Sequence, residues 1–120
     1  MAKTDDPNPV RELQPLTPAV FYILFALAEG EKHGYAIMKE VEDVSSGQFT
    51  MGPGTLYTNI QRLLELGLIE ETSTSSDSGR RRRYYRLLRS GRQLFEAELN
   101  RMESLVRSAQ RRKLVPREAR

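Results

Sequence analysis

Three short helical segments, an arginine-rich hairpin and one long closing helix follow one another in this chain. That order predicts a mainly α fold with a small β-hairpin: a winged helix-turn-helix domain plus a long C-terminal dimerisation helix. Three features of the sequence make it legible. Start and stop residues bracket the helical segments, the hydrophobic period shortens after Gly67, and a heptad-like seam runs along the last segment. The implied divisions are a flexible arm over residues 1–15, the winged helix-turn-helix domain over 16–88, the dimerisation helix over 89–113 and a flexible tail over 114–120.

The first helix starts at Thr17-Pro18, a capping residue followed by a proline whose missing N–H would be unpaired there anyway. It runs to Glu29 and stops at Gly30. Val20 to Ala28 leave it no polar face, so it must be covered all round, by a second subunit or by another long element of the same chain. A second helix spans Gly34 to Val44, with Ile37, Val41 and Val44 on one side, and Ser45-Ser46-Gly47 end it. Gln48 to Met51 reads as a brief strand. A third helix follows Gly52-Pro53-Gly54 and reaches Leu66, its inward stripe being Leu56, Ile60, Leu63 and Leu64. Residues 68–72 and 82–87 then read as two strands around the polar, turn-forming stretch 73–79. The last helix runs from Ser90 to Lys113, with Ser90 and Gln93 at capping-box spacing. Phe95, Leu99, Met102, Val106 and Ala109 form its seam, which Leu94 and Leu105 widen.

Composition narrows the function. The chain has 120 residues, the size of one domain, and no cysteine, so neither a disulfide nor a thiolate metal site exists. No metal or cofactor is expected. The apolar run from Ala19 to Ala28 is about half of what a membrane span needs, and no secretory signal is evident, so a cytoplasmic location is expected. A net charge of +3 says little by itself, but from Arg80 to Arg92 there are seven arginines and no acid. Such a block suits a polyanionic partner. An enzyme is not expected: Gly52-Pro53-Gly54-Thr55 is too short for a phosphate loop and lacks its lysine, and the acids have no converging partner.

Several stretches together resemble the PadR-like transcriptional regulators. They are Leu16-Thr17-Pro18, His33-Gly34-Tyr35-Ala36-Ile37, Gly54-Thr55-Leu56-Tyr57, Arg62 to Ile69, Gly79 to Leu87, and Gly91-Arg92. One departure is Leu88, where the family usually places the Thr that caps the last helix; Ser90 is read as the substitute. The resemblance implies a homodimer that binds double-stranded DNA at a near-palindromic operator and represses. It permits a small-molecule effector near the dimer interface, although the sequence names no ligand. An RNA-binding or protein-interaction winged helix is the rival reading.

On this reading the third helix meets DNA through Thr55, Tyr57, Thr58, Asn59 and Arg62, and the wing meets phosphate through Arg80, Arg81, Arg82 and Arg83. Tyr35 either reaches phosphate or packs on the first helix. Lys39 reads as a solvated surface lysine and His33 as local turn chemistry. The dimer face is assigned to Phe21, Phe25, Leu94, Phe95, Leu99, Met102, Leu105 and Val106.

Overall fold

The computed structural model describes residues 13–77 and 80–116, and for residues 73–77, 80 and 81 the backbone alone. The first helix, α1 (Pro18–Ala28), is capped as its sequence predicts: the Thr17 side chain accepts from the N–H of Val20 at 3.2 Å. Its C-terminal carbonyls are met by two cations, Lys32 Nζ at 2.8 Å from Ala26 O and Arg92 Nη2 at 3.2 Å from Ala28 O. Both charges sit where the helix dipole favours them. Strand β1 (Lys32–His33) leads directly into α2 (Gly34–Val44), and α3 (Pro53–Glu65) follows. Strands β2 (Ile69–Asp77) and β3 (Arg80–Leu87) form the wing, and α4 (Arg89–Arg111) closes the chain.

One core unites these elements. Ile23, Leu24 and Leu27 of α1, Ile37 and Val41 of α2, Leu56, Ile60 and Leu63 of α3, Ile69 and Tyr85 of the wing and Leu94 of α4 are all buried. Each fully buried aliphatic side chain among them is worth roughly 1.5–3 kcal/mol relative to exposure. The sheet is antiparallel with the order β1-β3-β2, and Lys32 pairs with Tyr85 and His33 with Tyr84. Ile69 to Thr72 pair in register with Leu87 to Tyr84. A bulge between Thr72 and Ser75 then shifts the pairing, so that Ser75 lies opposite Arg82. Among the described residues no helix is long and apolar enough to cross a membrane.

Four expectations change in detail. Gln48 to Met51 form no strand; Ser45 Oγ instead accepts from the Phe49 N–H and lies 3.0 Å from its carbonyl, and the Phe49 ring stacks on Tyr22. The third sheet partner is β1, which the sequence reading did not contain. The wing strands are longer than expected, consuming most of the polar stretch between them. Finally, α4 begins at Arg89 with Leu88 as N-cap, whose side chain has no acceptor; Ser90 already lies within the helix, and its Oγ donates to Gly67 O at 2.6 Å.

The dimer assignment also needs correction at two positions. Leu94 is fully buried and Phe95 is 7% exposed within a single chain, so both belong to its own core. Phe95 packs between Phe21 and Phe25, with ring centroids at 5.8 and 5.4 Å. Part of the cover that α1 requires is therefore supplied by α4 of the same chain. Further along α4 the stripe emerges: Leu99, Leu105 and Val106 are exposed, and Met102 is half-buried.

Glu98 of α4 is fully buried yet charged. Its carboxylate accepts from Arg101 Nε and Nη2 at 3.0 and 2.7 Å, from Gln14 Nε2 at 2.9 Å and from the Leu16 N–H at 3.2 Å. Gln14, placed in the flexible arm by the sequence reading, is thus tied to the last helix. Residues 1–12 of that arm, and residues 117–120 of the tail, lie outside the described residues. Arg101 above all, then Gln14 and the Leu16 amide, hold the Glu98 pKa down to about 2 against the opposing effect of burial. A depressed folded-state pKa stabilises the fold above the ordinary carboxylate pKa, and that stability is lost as pH falls through the folded value. Stability should therefore decline from about pH 4.5 to about pH 2. Glu98→Gln should cost about 1–3 kcal/mol in urea titrations at pH 7 and flatten that acid limb. An unaltered limb in the variant would assign the acid sensitivity elsewhere.

Candidate nucleic-acid interface

Helix α3 buries Leu56, Ile60 and Leu63 and so presents its opposite side outward. Thr55, Tyr57, Thr58 and Arg62 are exposed, and Asn59 is half-buried. From Pro53 to Leu64 the helix carries no acidic residue. Asn59 Nδ2 donates to Thr55 O at 2.8 Å, which leaves its carbonyl oxygen and a second N–H unspent.

Tyr57 is 47% exposed but not free. A Cβ added at Gly34 would overlap the Tyr57 hydroxyl, so the ring lies directly over the first residue of α2. Tyr35, one residue on, is 62% exposed. At that exposure most of the side chain faces solvent rather than α1. The two tyrosines border an open cleft of about 520 Å³ lined also by His33, Gly34, Arg82, Arg83 and Tyr85. Lys39 is exposed outside this lining.

The wing contributes unevenly. Alternation along β3 turns Tyr85 inward to the core, where burial, followed by the charge of Glu71, raises its pKa. Arg83 lies 3.8 Å from Glu71 across the sheet, and Arg86 pairs with Glu70 at 2.6 Å. Both pairs are solvent-exposed and worth little to stability. Arg82 instead approaches His33, Nη1 to Nε2, at 2.9 Å. The side chains of Arg80 and Arg81 lie outside the described residues. The structure thus gathers Tyr35, Tyr57, Arg82 and Arg83 around one cleft, with Thr55, Thr58, Asn59 and Arg62 on the adjoining helix. Sequence reasoning missed His33 and Tyr85 as its lining. The alternation of Tyr85, Arg86 and Leu87 held the signal for Tyr85.

The helix order, the β1-β3-β2 sheet and this cleft can be compared with known proteins. A family model described as the transcriptional regulator PadR-like family matches residues 23–97. The chain belongs to that family. It is 34% identical over 86 residues to the transcriptional regulator Rv3488 of Mycobacterium tuberculosis, covering 72% of this chain and 77% of that protein. It is also 38% identical over 87 residues to an uncharacterised 37.1 kDa protein in transposon TN4556 of Streptomyces fradiae. That match covers 72% of this chain but only 24% of the relative, so the PadR-like chain spans about a quarter of that protein's length. Among solved structures, it resembles a PadR family transcription regulator from Clostridium difficile with a TM-score of 0.67 and 24% identity, covering 79% of this chain and 97% of that one. It resembles Bacillus subtilis PadR, solved in complex with operator DNA, with a TM-score of 0.61 and 23% identity, covering 72% and 48%. At such identities these likenesses establish the winged-helix fold.

The packing of Tyr57 over Gly34 yields a test that needs no DNA. Gly34→Ala should push the tyrosine hydroxyl aside, and because this half-exposed side chain can give way the cost should be about 1 kcal/mol at most. In a double-mutant cycle with Tyr57→Ala, measured by urea unfolding, the two changes should couple by at least about 0.5 kcal/mol. Strictly additive effects would mean that the ring does not rest there.

Proposed function

We propose that this PadR-like regulator binds double-stranded DNA as a homodimer and represses transcription from a near-palindromic operator. The observation that carries the reading is the joining of the outer face of α3, free of acids from Pro53 to Leu64, to an arginine-bearing wing across one cleft. Short polar side chains on a helix reach base edges, and arginines on a hairpin reach phosphates. Thr55, Tyr57, Thr58, Asn59 and Arg62 are assigned to the groove, and Tyr35 and Arg80 to Arg83 to the backbone. Double-stranded DNA is favoured over RNA because a protruding helix fits the DNA major groove, whereas the corresponding groove of an RNA duplex is too narrow to admit it. Release of the operator by a small molecule is the mode of control that the family resemblance suggests.

The exposed Leu99, Leu105 and Val106 of α4, with half-buried Met102 among them and half-buried Phe21 and Phe25 on α1, support pairing of two chains. Light scattering at micromolar concentration should give about twice the 13.8 kDa chain mass. Leu99→Asp should shift the protein toward monomer or aggregate, because it places an unpaired charge in the interface. A wild-type mass equal to one chain would refute the dimer.

Two-fold symmetry has a consequence for the target. A footprint should show half-sites centred about one helical turn (~10 base pairs), or a multiple of it, apart. Asn59→Ala should relax the preference at one position in each half-site and cost about 1–3 kcal/mol there, leaving non-specific binding nearly unchanged. Glu65→Ala, at the far end of α3, should do little. An asymmetric footprint, or full sequence preference in Asn59→Ala, would turn α3 away from the groove.

A further inference from the structure

His33 stands between two hydrogen-bond donors. Its Nδ1 faces the backbone N–H of Ala36 at 3.2 Å, and its Nε2 faces Arg82 Nη1 at 2.9 Å. A neutral imidazole has one acceptor nitrogen and carries a hydrogen on the other, while guanidinium has donors only. Both contacts therefore cannot be hydrogen bonds at once. Protonating the ring makes matters worse, since an imidazolium would turn an N–H toward each neighbour. Burial, and after it the Arg82 charge, indeed hold the ring's pKa below its ordinary value.

The conflict resolves in one direction. The Ala36 amide is fixed in the first turn of α2, and His33 is that helix's N-cap. Arg82 is exposed on a long, rotatable stem. Nδ1 is thus the acceptor and Nε2 carries the hydrogen, directed at a guanidinium that also only donates. The Tyr84 ring, edge-on to the imidazole at 5.3 Å, packs beside it on the sheet. Two donors converge at the mouth of the cleft that Tyr35 and Tyr57 border, and neither satisfies the other.

We propose that His33 and Arg82 form one phosphate subsite: the Nε2–H of a neutral histidine and the guanidinium together take two oxygens of a DNA backbone phosphate. A phosphodiester has separate acceptor oxygens for the two groups, and Arg82 turns from ring to phosphate as it binds. The subsite rests on the DNA-binding reading and adds to it a residue that turn chemistry alone would explain.

His33→Asn separates the two roles of the ring. Asparagine is a good N-cap, so it keeps the acceptor for Ala36, but it is too short to place a donor beside Arg82. Binding to a 30-base-pair duplex of mixed sequence, followed by fluorescence anisotropy across a potassium chloride series, reads the effect. Arg82→Ala should weaken binding and lower the salt dependence by about one ion per subunit. His33→Asn should weaken binding roughly tenfold with the salt dependence nearly unchanged, since a neutral donor is lost. The double variant should lose less than the product of the two single losses, because both groups serve one phosphate.

Nitrogen-15 NMR of the wild type should show the Nε2–H tautomer in the free protein and a shift of that resonance when duplex is added. An Nδ1–H tautomer, or a His33→Asn protein that binds as the wild type does, would overturn the subsite while DNA binding itself stands. A resonance that responds to millimolar inorganic phosphate but not to duplex would overturn it in favour of a free anion. Absence of any duplex binding by the wild type would remove the DNA reading, and the subsite with it.

Discussion

The junction at Gly67 and Leu68 is the point from which the functional elements take their directions. The amides of Gly67 and Leu68 bond back to Leu64 and Leu63, which closes α3. The Leu68 carbonyl then accepts from the N–H of Leu88, and Ser90 Oγ binds the Gly67 carbonyl. A Cβ at Gly91 would collide with the Leu68 carbonyl oxygen, so α4 starts with its backbone pressed on that of the junction. The end of α3, the root of the wing and the start of α4 are thus fixed within a few residues of each other. Backbone contacts of this kind leave little freedom for the angle between them.

A second tie works from the other side of the cleft. Strand β1 has only two residues, yet it pairs with the middle of β3 and ends on the N-cap of α2. Lys32, its first residue, also meets the last turn of α1 through the Ala26 carbonyl. The wing root is therefore joined to the paired helices by direct hydrogen bonds, and the cleft between them is already shaped in the free chain. Preformed geometry of this kind lowers the ordering cost of binding. The glutamate held by Arg101, Gln14 and the Leu16 amide ties α1 to α4 at one end of their aromatic contact at Phe21, Phe25 and Phe95, and Arg92 on the Ala28 carbonyl ties them at the other.

What was legible in the sequence was local. Thr17, the proline beside it, the glycines and the apolar periods sufficed for four helices and a hairpin, because capping and periodicity act over a few residues. The outward position of Tyr57 and the inward stripe of α3 belong to the same class, whereas Tyr35 had two readings open. The rest depends on chain segments far apart. Nothing near Lys32-His33 announces a strand, since its partner lies some fifty residues on at Tyr84 and Tyr85. Ser90 has the right spacing for a cap, yet a carbonyl of the preceding junction claims its hydroxyl. Phe95 fits the heptad seam as well as Leu99 does, with Leu94 beside it, and only the position of α1 tells which end of the stripe is already covered. Glu98 looks like any helical surface glutamate until Gln14 and Leu16 are brought to it.

The wing's bulge separates two lengths of hairpin with different obligations. Between Ile69 and Thr72 the pairing is locked to the core through Tyr85, and a slip of one residue there would turn every side chain to the opposite face. Beyond the bulge, β2 has already taken its extra residue, and the pairing of Ser75 to Asp77 with Arg82 to Arg80 runs in a register of its own. Residues gained or lost in pairs at the tip leave the root untouched. The reach of the wing can thus diverge among related chains while the domain beneath it stays the same.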